Sequence, residues 1–327
     1  METDFTGHEG FIELDGVEKV FDVRRRKGRL RREKTQVRAV DGISFSVPRG
    51  EMVGYIGPNG AGKSTTIKML TGILTPSGGR VRVAGIDPAR ERTRLAQRIG
   101  VVFGQRTTLW WDLPLRDSYR LMHRMYRIPD ERFKVNMARC VDLLDLGGLL
   151  DVPVRQLSLG QRMRGDIAAA LLHDPEVLYL DEPTIGLDVV SKAKVRDFLR
   201  DLNAERGTTV LLTTHDLTDI EQLCKRVMVI DHGRLVYDGT PGGLHEVGES
   251  ERTLVVDLER ELPPVEVAGA RVVRVEGPRQ WLAFPASVSA APLVAAVAQR
   301  YPLVDLSVRE PDIEAVIAKM YADRSAL

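Results

Sequence analysis

A chain of 327 residues with 43% apolar and 28% charged side chains has the make-up of a globular protein, long enough for two domains. Its net charge of +1 provides no global field for nucleic acid or a membrane surface, and no run of about 18 apolar residues is present to span a bilayer. Two distant cysteines, Cys140 and Cys224, suit neither a disulfide framework nor a zinc site and fit a reducing compartment. Residues 1–10 are polar and acidic, unlike a signal peptide.

Residues 10–21 alternate loosely and predict one or two edge strands. Phe21 is either a core aromatic or a ring able to fold onto a bound base. Residues 24–34 are almost all charged and predict a loop between strands. Such a loop is solvated, or it touches lipid head groups, a partner or nucleic-acid phosphates. Residues 37–47 return to strand alternation and close on the turn Pro48-Arg49-Gly50.

The strongest signal follows. Gly57, Pro58, Asn59, Gly60, Ala61, Gly62, Lys63, Ser64 and Thr65 fit G-x-x-x-x-G-K-[ST], a phosphate-binding loop. Three glycines let the backbone curl closely around a ligand, and the N–H groups it gathers favour an anion. A buried strand precedes the loop at 51–56, and a helix follows with Ile67 and Leu70 on its apolar side. This is the setting the motif needs, with the helix dipole adding positive charge. Lys63 reaches the β- and γ-phosphates in this reading, and Ser64 holds Mg²⁺.

Beyond a turn at 75–79 come a short strand at 80–85, a polar helix at 90–98 and a buried strand at 99–104. That strand ends at Gln105, either a plain loop residue or an amide that contacts Mg²⁺ or the attacking water. Trp110 and Trp111 are adjacent in a loop, and they fill a local core or anchor a protein interface. Helical spacing over 115–128 and 131–146 predicts a helical insert. Ser158 then caps a helix running to Leu172, and its N-terminus offers a second anion site beside Gly160 and Gln161. The strand at 177–182 delivers two adjacent carboxylates to its C-terminal end. There Asp181 suits Mg²⁺ and Glu182 suits a water aimed at the γ-phosphate. The strand at 208–214 ends at His215, which is either structural or a hydrogen-bond partner of the γ-phosphate.

Taken in order over residues 11–247, these motifs resemble the nucleotide-binding domain of an ATP-binding cassette (ABC) transporter. Residues 57–65 look like its Walker A loop, Gln105 its Q-loop, residues 157–161 its signature and residues 177–182 its Walker B strand. Gly186, Leu187 and Asp188 are similar to its D-loop, His215 to its switch histidine and Phe21 to the aromatic that stacks on adenine. One departure is visible: Leu159 stands where the usual L-S-G-G-Q signature has its first glycine.

The resemblance implies an α/β P-loop NTPase domain with a helical subdomain at about 115–172. It also implies Mg²⁺-dependent ATP hydrolysis with Glu182, His215 and Gln105 as catalytic groups. Mg²⁺ would lie on Ser64, Gln105 and Asp181. Two chains, most simply a homodimer, would pair head to tail, so that Ser158, Gly160 and Gln161 of one close on the nucleotide of the other. A membrane-spanning permease in a separate chain would dock near the Q-loop and the helical insert, holding this subunit at the cytoplasmic face of the membrane. Residues 251–327 change in composition and predict a small α+β accessory domain, with strands at 253–258, 270–275 and 304–308 and helices at 291–300 and 312–322. That extension, the segment 310–314 and the single cassette resemble ATPases of ABC-2-type exporters, and the run 161–164 with the tryptophan pair looks closest to a drug- or viologen-exporter branch. The expected function is therefore to power export of a small molecule or drug. The alternatives are an importer ATPase and a soluble ABC ATPase acting on ribosomes or DNA. Relatives of the last kind carry two cassettes, a long coiled coil or zinc-binding cysteines, none of which is present here, so no nucleic acid is expected.

Overall fold

The structure, a computed structural model, describes residues 10–27, 31–104, 106–214, 216–247, 251–285 and 288–309. It divides into two units, one up to Asp238 and one from Gly239. In chain order the first unit carries β1 (Ile12–Lys27), β2 (Arg31–Val47), β3 (Met52–Ile56), α1 (Lys63–Leu70), β4 (Gly78–Val83), α2 (Arg92–Ala96), β5 (Ile99–Phe103), α3 (Leu115–Met125), α4 (Asp130–Leu143), α5 (Leu159–Leu171), β6 (Val177–Asp181), α6 (Val189–Arg206), β7 (Thr209–Thr213), α7 (Leu217–Leu223), β8 (Arg226–Asp231) and β9 (Arg234–Gly239).

The six-stranded sheet has the order β5-β6-β7-β3-β8-β9. Strand β3, which leads into the phosphate loop, runs parallel to both β7 and β8. All five residues of β3 and of β7 are buried, as strands covered on both faces require. Because β3, β6 and β7 are parallel, Ile56, Asp181 and Thr213 end on one edge, where open α/β sheets bind ligands. A smaller antiparallel sheet, β2-β1-β4, shares a core with the first. Ile12 and Leu14 of β1, Val53 and Tyr55 of β3, and Ile67 and Leu70 of α1 belong to one buried cluster.

The basic run is not the loop its composition suggests. The β1–β2 ladder continues through it to the pair Lys27↔Arg31. A ladder is made by backbone hydrogen bonds, and side-chain composition alone does not veto it. Residues 28–30 lie outside the described residues.

The second unit contains α8 (Pro241–Val247), β10 (Glu251–Leu258), β11 (Arg271–Glu276), β12 (Arg279–Pro285), α9 (Ala290–Arg300) and β13 (Leu303–Arg309). Its sheet has the order β11-β12-β10-β13. Leu293 and Val297 of α9 pack on Leu254, Val256, Leu282 and Phe284. Strand β12 has no counterpart in the sequence reading, and the predicted helix at 312–322 lies outside the described residues, as does the segment 310–314.

Candidate functional site

The loop at 57–65 is held in shape from two sides. A Cβ on Gly57 would stand 2.0 Å from the carbonyl oxygen of Ile230 in β8, so only glycine fits there. Gly62 has φ +111°, and a Cβ on it would stand 2.5 Å from the carbonyl oxygen of Ala39 in β2. The Gly233 N–H donates to Ala61 O at 2.9 Å, closing the outer wall. Gly60, at φ +84°, faces open space. The loop is thus clamped at its ends and free at its tip.

Lys63, only 8% exposed, donates through Nζ to Gly57 O at 2.5 Å and Pro58 O at 3.1 Å. Burial pushes its pKa below the ordinary lysine value, while the Glu182 and Asp181 carboxylates act in the opposite sense. The ammonium therefore lies under the curled backbone with two carboxylates nearby.

Those carboxylates arrive on β6. Ser64 Oγ donates to Asp181 Oδ2 at 3.3 Å, joining the phosphate loop to the acidic strand. Thr213 Oγ1, at the end of β7, donates to Asp181 Oδ1 at 2.6 Å. The Glu182 N–H donates to Thr213 O at 3.0 Å and approaches Thr213 Oγ1 at 3.3 Å. Glu182 itself sits at φ +58°, a left-handed conformation that costs a non-glycine residue about 1–3 kcal/mol. It turns the chain off the end of β6. Gly104, at the end of β5, donates to Asp181 O at 2.6 Å. Thr213 and Gly104 escaped the sequence reading. A hydroxyl ending a buried strand beside an acidic one was the signal available for the first.

The donor set fits a magnesium–phosphate group. A hydroxyl and a carboxylate are hard oxygen ligands, and Mg²⁺ is characteristically held by one or two carboxylates plus substrate phosphates. Among the described residues no cluster of three or more His, Cys, Asp or Glu exists to hold a metal without such a substrate.

Ser158 and Gln161 close a reciprocal cap at the start of α5. Gln161 N donates to Ser158 Oγ at 3.2 Å, and Ser158 N donates to Gln161 Oε1 at 2.9 Å. Among the described residues no hydrogen bond joins Ser158, Gly160 or Gln161 to the phosphate loop of the same chain. Their neighbours are the segment after Glu182: a Cβ on Gly186 would stand 2.5 Å from Leu159 Cδ2, and one on Gly160 would stand 3.3 Å from Leu187 Cδ2. Asp188 caps α6, accepting from Ser191 N at 2.9 Å and Ser191 Oγ at 2.7 Å, and these bonds hold its carboxyl below the usual range.

Phe21 does not enter the core. It is half-buried on β1 opposite Val37, with Lys19 Nζ 5.3 Å from the ring centroid. Two residues beyond Val37 on β2, Ala39 presents its carbonyl oxygen to the loop at Gly62. Gln105 and His215 lie outside the described residues. Trp110 and Trp111 are surface residues, Trp111 half exposed with Arg162 5.5 Å from its ring.

Comparison with known proteins follows the same residues. The family described as ABC transporter matches residues 40–185. The daunorubicin/doxorubicin resistance ATP-binding protein DrrA of Streptomyces peucetius is 38% identical over 268 residues, 77% of this chain and 81% of the relative. The Nod factor export ATP-binding protein I of Ralstonia nicotianae is 39% identical over 221 residues, 67% of this chain and 68% of the relative. Among solved structures, the dimeric post-hydrolysis state of the ATP-binding cassette MJ0796, bound to ADP and Pi, superimposes with a TM-score of 0.62 at 26% identity. It covers 70% of this chain and 98% of that one.

Proposed function

This chain belongs to the ABC transporter family as an ATP-binding, ATP-hydrolysing subunit, and on that premise we propose that it powers export of a small molecule or drug through a separate membrane-spanning chain. The observation that carries the hydrolytic part is the Ser64–Asp181–Thr213 chain of hydrogen bonds, with Glu182 at φ +58° on the next residue. The direction of transport rests on the relatives, one named for daunorubicin/doxorubicin resistance and one for Nod factor export.

The chemistry follows from the residues. Backbone N–H groups of residues 57–65 bind the phosphates, and Lys63 turns from Gly57 O and Pro58 O towards them. Ser64 and Asp181, with Gln105, hold Mg²⁺, which when bound offsets the charge on the transferred phosphoryl group. Glu182 accepts the proton of the attacking water, and His215 hydrogen-bonds the γ-phosphate. Phe21 stacks on the adenine. Ser158 and Gln161 cap their own helix, and Leu159 and Gly160 lie against Gly186 and Leu187 with no described hydrogen bond to the phosphate loop, which supports a head-to-tail homodimer in which Ser158, Gly160 and Gln161 close on the partner's nucleotide.

Among the described residues no helix is long and apolar enough to cross a membrane. In this reading the permease is a separate chain. A groove of about 210 Å³ between the sheet and the helical insert, lined by Ile73, Phe103, Thr108, Met122 and Tyr126, includes the segment that leads into the two tryptophans and supports docking there. It would hold the subunit at the cytoplasmic face of the membrane.

The test is a pull-down of the tagged Glu182→Gln protein from detergent-solubilised native membranes. A stoichiometric polytopic membrane protein supports the reading. Ribosomal or DNA-bound material with no membrane chain overturns it.

A further inference from the structure

Helix α5 carries a buried carboxylate that ATP hydrolysis does not use. Asp166 is 5% exposed. Its Oδ1 accepts from Thr107 Oγ1 at 2.9 Å, from Thr108 N at 2.9 Å and from Thr108 Oγ1 at 3.1 Å. Burial pushes its pKa up, and these donors, with the charge of Arg162, act against that. A carboxylate placed at such cost and then given three donors on one oxygen is a fixing device.

What it fixes is the segment with the exposed indoles. Thr107 Oγ1 also accepts from Leu109 N at 3.1 Å, and Trp110 N donates to Ser118 Oγ of α3 at 3.2 Å. Arg162, one turn before Asp166 on the same helix, lies against Trp111. Tyr119 OH of α3 donates to Gly165 O of α5 at 3.1 Å. Ser158, at the head of α5, is eight residues from Asp166, or about 12 Å along the helix at 1.5 Å per residue.

We propose that Asp166 is a positioning residue that latches the Thr107–Trp111 segment to α5, so that the tryptophan pair and the Ser158 end of that helix move as one body. A helix is stiff over this length, so displacement at Ser158 is delivered to the indoles, and a load on the indoles is delivered to Ser158. This deepens the proposed function, because a permease seated on the tryptophans then acts on the phosphate-closing end of α5 without touching it. The latch itself concerns only this chain and can be tested without the permease.

The chain has three tryptophans, so Trp281→Phe leaves the pair at 110 and 111 as the indole reporters. In that background with Glu182→Gln, saturating ATP shifts the indole emission as Ser158 closes on nucleotide. The double variant Thr107→Val, Thr108→Val removes both hydroxyl donors at nearly constant shape. It is expected to cut the shift about fivefold while ATP affinity, measured by equilibrium dialysis, changes less than about twofold. Thr107→Ser, Thr108→Ser keeps the donors and should restore the shift, which separates a positioning role from a packing one. A valine variant with the full shift overturns the proposal, and so does a parent whose indoles ignore bound ATP. Failure to bind ATP at all would instead count against the nucleotide site.

Discussion

Thr213→Val tests whether the two carboxylates depend on a neighbouring strand. Threonine and valine have nearly the same shape, and the site is fully buried, so the substitution deletes a hydroxyl without opening a cavity. It removes the 2.6 Å bond to Asp181 Oδ1 and the longer 3.3 Å approach of Glu182 N, but leaves the backbone bond from Glu182 N to Thr213 O at 3.0 Å. A hydrogen bond to a charged group contributes about 1.5–3 kcal/mol. If that is spent on holding Asp181 where Mg²⁺ and the developing phosphoryl charge need it, ATPase activity falls about 10- to 150-fold. The assay is steady-state hydrolysis across a Mg²⁺ titration. Because Asp181 is the proposed Mg²⁺ ligand, excess Mg²⁺ should recover part of the loss, and Thr213→Ser should retain most activity. A valine variant within about twofold of wild type at every Mg²⁺ concentration would refute the reasoning.

Two further outcomes follow from local geometry. Gly62→Ala places a methyl group 2.5 Å from Ala39 O at φ +111°; backbone strain of about 1–3 kcal/mol should lower the melting temperature by about 2–12 °C in calorimetry. The Arg98 guanidinium, bonded to Glu176 Oε1 at 2.5 Å, holds that carboxyl below the usual range. A depressed carboxylate pKa stabilises the fold above the unfolded value of about 4.3 and loses that contribution as pH falls through the folded value. Arg98→Gln should therefore be less stable than wild type near neutral pH, with the gap in denaturant midpoint closing in acid. A gap independent of pH would contradict the assignment.

What could be read from the chain was whatever is local in it. The phosphate loop is nine consecutive residues whose glycines and lysine act together. The acidic end of β6 and the cap at Ser158 are also contiguous, and all three were legible. What crosses strands was not. Thr213 reaches Asp181 only because β6 and β7 pair in a register that sets them side by side. Asp166 reads as an ordinary helical charge until the fold brings Thr107 and Thr108 to it. The ribbon through Arg24 and Lys34 was hidden by its charge, since the pairing is carried by the backbone. Strand β12 was hidden by Gln280, a polar residue that is buried because its amide ties down the preceding loop at Leu262 O and Val265 N. The core reading of Phe21 fell only when the ring was seen half-buried beside Lys19 and outside the buried cluster.

The central claim is that Glu182 drives hydrolysis of ATP held between two copies of this chain. The most direct measurement is light scattering of purified Glu182→Gln protein with and without ATP, together with an assay of the bound nucleotide. The account predicts that ATP doubles the mass from the 36.4 kDa of one chain, with intact ATP retained in the dimer and turnover reduced about 10²- to 10⁴-fold. A protein that remains a single chain at saturating ATP, or one that hydrolyses ATP at the wild-type rate, would contradict it.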